Sequence, residues 1–258
     1  MVQRRYLAVG GATGIGRDVC ERLMSAGHTV ILMDRVEPEF PVSQYIALDL
    51  TQQATVDTAL LQLEGNIDGL LNIAGLPPRE GLTRSVIAVN WVGLEYVTEK
   101  VIPQINDGGV IVNLASKAGQ FWQQNLEQVQ SLLALHHWDG IDGWCAEQGI
   151  EHVRAYNLSK EALIVWSKLL AARLIGRRIR VVSVSPAAVA TSILDDFIKA
   201  FGDKVAANLE RVGRPGNIEE IASVILSVTD PASSWLNGID IQVDGGMGAV
   251  VFAEQFGG

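Results

Sequence analysis

Two cysteines in 258 residues, Cys20 and Cys145, are too few and too far apart for a disulfide framework or a redox or metal spacing. That excludes the small stapled secreted folds and predicts a reducing compartment, the cytoplasm. Basic residues are also scarce: Lys and Arg number 20 against 29 Asp and Glu, a formal charge of −9, and no basic cluster interrupts the acidic balance. An electrostatic grip on nucleic acid or an anionic membrane is therefore not expected. Long apolar runs are missing although 48% of the residues are hydrophobic, so no membrane span is predicted. The first residues, Met1 to Tyr6, show no apolar stretch followed by a small-residue cleavage site, and no export signal is expected. The histidines offer no ligand spacing either: His136 and His137 are adjacent and would diverge on a helix, while His28 and His152 stand alone. No metal site is predicted. Repeats, low-complexity tracts and interdomain linkers are absent as well, leaving one domain over residues 1–258 with a small molecule as its partner.

What the chain does have is alternation. Tyr6 to Val9 reads as a strand that turns into Gly10-Gly11-Ala12-Thr13-Gly14-Ile15-Gly16, then a helix over Ile15 to Ala26 closed by Gly27, then a strand over Thr29 to Met33 ending on Asp34. Such a β-α-β unit suits a dinucleotide. Glycines let the backbone approach the pyrophosphate, the helix N-terminus offers free N–H groups, and an acid at the second strand's end takes the ribose hydroxyls. Further strands are predicted at Gln44 to Ala47, Gly69 to Ile73, Val110 to Leu114, Arg180 to Val184 and Ile239 to Val243. Helices are predicted near Gln52 to Leu63, Ser85 to Ile102, Tyr156 to Ile175 and Ile218 to Val228. This order predicts an α/β, Rossmann-type doubly wound parallel sheet of about seven strands, covered on both faces. Two segments break the rhythm: residues 118–155, with helical patterns of their own at Asn125 to His137 and Ile141 to Gln148, and residues 187–216, with the apolar set Ile193, Leu194, Phe197, Ile198 and Phe201. Both follow the carboxyl ends of strands, where open α/β sheets bind ligands.

Within the Tyr156 helix, Tyr156 and Lys160 are four residues apart, so the phenol and the amine share a helix face one turn apart. An ammonium beside a phenol favours the phenolate and suits the pair to acid–base work. Asp34 predicts NAD(H) over NADP(H), because a carboxylate accepts both ribose hydroxyls and repels a 2′-phosphate; Arg35 is read as stacking near the adenine or solvated.

Together these residues resemble the short-chain dehydrogenase/reductase family, in its branch of about 250 residues, over essentially the whole chain. The resemblance rests on the glycine loop Gly10 to Gly16, on Asn72-Ile73-Ala74-Gly75, on Asn90 in Ala88-Val89-Asn90, on Ser116, on Tyr156 with Lys160, on Ser185-Pro186-Ala187 to Thr191, on Gly213-Arg214-Pro215 and on Asp244-Gly245-Gly246. It implies a catalytic set of Asn90, Ser116, Tyr156 and Lys160. Tyr156 exchanges the proton with Lys160 lowering its pKa, Ser116 orients the reacting oxygen, and Asn90 holds a water leading to Lys160. It implies cofactor contacts from Gly10, Thr13, Gly14, Ile15, Gly16, Asp34, Arg35, Asp49, Leu50, Asn72, Ala74, Gly75, Tyr156, Lys160, Pro186, Val189 and Thr191. The departures are Val9 for the usual threonine, Ile73 for the second asparagine, Ser183 for an asparagine and Ala187 for a glycine, and they bear on loop rigidity.

Ser116 and Tyr156 stand forty positions apart instead of about a dozen, and this with the ending Gly246 to Val251 is similar to the bacterial 3α-hydroxysteroid dehydrogenase/carbonyl reductase subgroup. The implied reaction interconverts a secondary alcohol and a ketone on an apolar ring-bearing substrate. Aryl or allylic (coniferyl-type) and alicyclic terpenoid alcohols are the alternative, and a catalytically silent NAD-binding sensor is the rival of another class. Substrate contacts are expected from Ser116, Phe121, Trp122, Tyr156, Ala187, Ile193, Leu194 and Phe197. Trp138, Trp144 and Leu126 are expected in the same wall, at a subunit contact or packed only onto their own domain. Residues 249–252 are expected to pack on the sheet or on a second subunit of a homodimer or homotetramer.

Overall fold

The computed structural model describes residues 2–257. Its strands are β1 (Arg5–Val9), β2 (Thr29–Asp34), β3 (Gln44–Ala47), β4 (Ile67–Asn72), β5 (Ile105–Leu114), β6 (Arg180–Pro186) and β7 (Asp240–Val243). Its helices are α1 (Gly14–Ser25), α2 (Gln53–Leu60), α3 (Thr83–Ile87), α4 (Leu94–Val101), α5 (Leu126–Leu133), α6 (Ile141–Gln148), α7 (His152–Leu174), α8 (Leu194–Phe201), α9 (Asp203–Val212), α10 (Ile218–Thr229) and α11 (Met247–Gln255). The strands form one seven-stranded sheet in the order β3-β2-β1-β4-β5-β6-β7, every pairing parallel. After β1 the chain runs outward through β2 and β3, then crosses back to place β4 on β1's other side. That reversal opens a crevice at the carboxyl ends of β1 and β4.

Alternation along β1 shows why the sheet needs cover on both faces. Tyr6 and Ala8 pack into the core under α1 and α10, while Leu7 and Val9 pack into the core under α2, α4 and α7; all four are buried. Residues two apart share a face of a strand, so a run without polar interruption is buried on both sides.

The structure departs from the predicted elements in several places. The helix expected over Ser85 to Ile102 is α3 and α4 joined by a π-helical turn, Ala88–Gly93, which is wholly buried and carries Asn90. Strand β5 starts at Ile105, five residues early, because Ile105 pairs with Ile67 across a register shift. Residues 249–252 lie on α11 with Ala249 and Val250 exposed and Phe252 61% exposed, so they are not buried against the sheet. Among the described residues no helix is long and apolar enough to cross a membrane.

Candidate active site

A cavity of about 1070 Å³ opens over the carboxyl ends of the central strands. At its nucleotide end the glycine loop leaves β1 and enters α1. A Cβ on Gly16 would stand 2.2 Å from the Gly10 carbonyl oxygen, so only glycine permits this approach, and Gly14 has φ +57 with open space beside it. The departure at Val9 does not free the loop. Val9 is buried, its carbonyl accepts from Ile73 N and Ala74 N, and the Asp34 carboxylate accepts from Ala12 N at 2.9 Å and from Val36 N at 3.0 Å. Asp34 thus ties the loop down with its side chain while lining the cavity. Gly10, Thr13, Ile15, Arg35, Asp49, Leu50, Ala74, Gly75, Pro186, Val189 and Thr191 line it as well. Arg35 is exposed. One carboxylate oxygen of Asp49 accepts from the backbone and hydroxyl of Thr51, just ahead of α2. A cradle this tight, with bare N–H groups at a helix start and a carboxylate at the next strand's end, fits a dinucleotide.

Tyr156, Ser116 and Lys160 converge at the other end. Burial pushes the Tyr156 phenol up to about 12, and the neighbouring Ser116 hydroxyl pulls it back down. Burial pushes Lys160 down to about 7; its Nζ donates to the Leu114 carbonyl at 2.8 Å and lies 5.8 Å from the Tyr156 ring centre. Burial destabilises the Lys160 ammonium, which has the Leu114 carbonyl as its hydrogen-bond partner and stands one helical turn from Tyr156. The turn carrying Ser116 is pinned against α7: the serine Oγ accepts from Ala118 N at 3.2 Å, and a Cβ on Gly119 would come within 2.7 Å of the Lys160 backbone.

Several of the residues considered for the site lie outside the cavity. Asn90 does not line the cavity; its carboxamide grips the Leu76 backbone in both directions, accepting from N at 2.7 Å and donating to O at 3.0 Å, which fixes the turn beside Gly75 and Lys160. Asn72 is fully buried, donating to Thr98 and Asn113, so its side chain braces β4 against β5 and does not line the cavity. Trp122 and Leu194 are half-buried outside the cavity, turned aside by the helical starts on which they sit. Trp138 and Trp144 form no substrate wall: Trp138 is buried and donates to the Leu50 carbonyl at 2.8 Å, and Trp144 donates to Ser131 at 2.8 Å.

The apolar wall comes from elsewhere. Phe121, Ala187, Ile193 and Phe197 line the cavity as expected, joined by Phe201, Leu209, Val212 and Met247. Phe197 stands edge-on to Tyr156 at 5.2 Å between ring centres, and Phe201 lies parallel to Phe197 at 6.3 Å. The spacing of Leu194, Phe197, Ile198 and Phe201, three and four apart, is the signal that would have revealed α8 as an amphipathic helix. Arg79 also lines the cavity and binds Asp196 of α8 through two hydrogen bonds, at 2.9 and 2.6 Å. No local pattern in the sequence marks that pairing.

Comparison with known proteins agrees with this geometry. The short chain dehydrogenase family profile matches residues 5–127 and an Enoyl-(Acyl carrier protein) reductase profile matches residues 141–248. Coniferyl-alcohol dehydrogenase of a Pseudomonas species is 34% identical over 96% of this chain and 97% of its own. The 3-alpha-hydroxysteroid dehydrogenase/carbonyl reductase of Comamonas testosteroni is 28% identical over 96% of this chain and 97% of its own. Among solved structures, a Pseudomonas 3-alpha-hydroxysteroid dehydrogenase complexed with NADH superposes with a TM-score of 0.80 at 27% identity, covering 96% of this chain and 98% of that one. A parallel sheet with a glycine-cradled crevice, Ser116 brought to the buried Tyr156 and Lys160, and relatives matched end to end make this chain a member of the short-chain dehydrogenase/reductase family of oxidoreductases.

Proposed function

We propose that the protein uses NAD(H) to interconvert an alcohol and its carbonyl compound on an apolar, ring-bearing substrate. The observation that carries this reading is the aromatic wall of Phe197 and Phe201 set directly against the Tyr156 phenol. A ring seated there places its carbinol oxygen between Tyr156 and Ser116. Gly10 to Gly16 and the start of α1 hold the pyrophosphate, Asp34 the adenosine ribose, and Ala187 to Thr191 the nicotinamide end. The bound nicotinamide supplies the hydride acceptor for alcohol oxidation and the hydride donor for reduction. In oxidation Tyr156 takes the alcohol proton; in reduction it returns it. Ser116 hydrogen-bonds the same oxygen and favours the phenolate. Lys160, with a pKa near neutrality and its ammonium set beside the phenol's face, is suited to exchange that proton onward. Asn90 positions the Gly75–Leu76 turn that borders Lys160.

Asp34 supports NAD over NADP, since its carboxylate would meet a 2′-phosphate with like charge. For the substrate, the long Ser116–Tyr156 interval supports a secondary alcohol in the manner of the hydroxysteroid relatives. The 34% identity with coniferyl-alcohol dehydrogenase supports an aryl-allylic alcohol as the second reading. Self-association as a homodimer or homotetramer fits the exposed Leu169 on α7 and Trp235 ahead of β7, which is 96% exposed, and light scattering in solution reads it.

The test is reduced-nicotinamide absorbance with NAD and separately with NADP against hydroxysteroid, aryl-allylic and alicyclic alcohols. Turnover with NAD on one ring class is expected. Tight NAD binding with no turnover on any alcohol would favour a sensor instead.

A further inference from the structure

The mechanism leaves one buried ion pair at the cavity unused. Lys117, the residue after the catalytic serine, donates its Nζ to Asp244 Oδ2, with side chains only 9% and 11% exposed. Asp244 has more partners: Gly248 N donates to it at 2.8 Å and Gly246 N at 3.0 Å, so it also ties down the start of α11. Burial would raise the Asp244 carboxyl, but Lys117 and these N–H groups hold it below the ordinary range. The site is closely packed: a Cβ on Gly248 would stand 3.0 Å from both the Asp244 oxygen and the Lys117 nitrogen, so the pair would have to shift to admit it.

The placement gives the pair its meaning. Lys117 sits in the turn after β5 and Asp244 in the turn after β7, and the strand between them, β6, delivers Pro186 to Val189 to the cavity. Ala187 N donates to the Val243 carbonyl at 3.2 Å, closing the bracket from the β7 side. A buried ion pair gains little net stability, because desolvating both charges offsets their attraction. Its yield here is geometry: a rigid cross-tie over the strand ends, anchored one residue from Ser116.

We infer that Lys117 and Asp244 form a positioning pair that acts through Ser116, holding its hydroxyl against the reacting oxygen and Tyr156. The inference rests on the assignment of Ser116 and Tyr156 to that oxygen. Tyr156 is faced by Lys160 of its own helix, by Ser116 and by the uncharged rings of α8. Loosening Ser116 therefore removes the group that lowers the phenol and moves the acidic limb of kcat for alcohol oxidation to higher pH.

The experiment is a double-mutant cycle between Lys117→Met and Ser116→Ala. It is read as kcat, KM and pH profile with NAD and the best alcohol of the panel, with thermal unfolding run alongside. Acting through the serine, Lys117→Met lowers kcat about tenfold at little-changed KM, shifts the acidic limb upward, and costs nothing further once Ser116 is alanine. Should Lys117→Met not fold, Asp244→Asn, which keeps an acceptor for Gly246 and Gly248, takes its place in the cycle. A Lys117→Met that lowers only the melting temperature, or that costs the same factor in both serine backgrounds, overturns the pair. A Ser116→Ala with full activity overturns the serine assignment and the pair with it.

Discussion

The two segments that interrupt the strand–helix alternation do opposite work. Residues 118–155 follow β5 and residues 187–216 follow β6, and both begin at the cavity. The first soon leaves it. Val129, Leu132 and Ile141 are fully buried in the core, Trp91 donates to the Leu135 carbonyl, and buried Glu161 collects Arg154 and Asn125. The second stays. Its α8 has no buried residue, and it lays Phe197 and Phe201 over Tyr156. Beyond Phe121 the tryptophan-rich segment therefore packs into the core, and the amphipathic helix α8 lines the cavity. Apolar content tells that a segment is buried, not what it is buried against.

Substitutions can separate the two. The largest effect belongs to Trp138→Ala, which removes a buried indole, its hydrogen bond to Leu50 and its edge contact with Tyr96; a loss of about 3–5 kcal/mol is expected in chemical denaturation, with KM for the alcohol unchanged. Phe197→Ala inverts the pattern. It should raise KM for a ring-bearing alcohol about tenfold, in steady-state kinetics, while changing stability by less than about 1 kcal/mol, because the ring borders a cavity. An equal loss of stability from both would erase the distinction. The smallest effect is expected from Arg79→Ala. Arg79 is 50% exposed, so its pair with Asp196 contributes at most about 1 kcal/mol, seen as a few-fold rise in KM that high salt reproduces in the parent protein.

What was legible beforehand follows the same division. The β-α-β unit, the seven parallel strands and the Tyr156–Lys160 pair could be read because short-range rules govern them: glycine at a crowded turn, an acid closing a strand, a four-residue helical step; Ser116, forty positions away, came only from the family resemblance. The failures concern which way a side chain faces when neighbours distant in sequence decide it. Asn72 is claimed by Thr98 and Asn113, and Trp138 by the Leu50 carbonyl. The π-helical turn turns Asn90 onto Leu76, and a helix pattern gives no hint of it. Lys160 was legible in place, while its lowered pKa follows from the depth at which α7 is buried, which the sequence does not give.

The claim most exposed to test is that Tyr156 moves the proton. The direct measurement is the rate of NAD reduction by Tyr156→Phe under saturating alcohol, with NAD binding followed by fluorescence titration in the same preparation. The account predicts that turnover falls by at least about a thousandfold while NAD affinity stays within about threefold of the parent. Turnover close to the parent's would place the acid–base group elsewhere and contradict it.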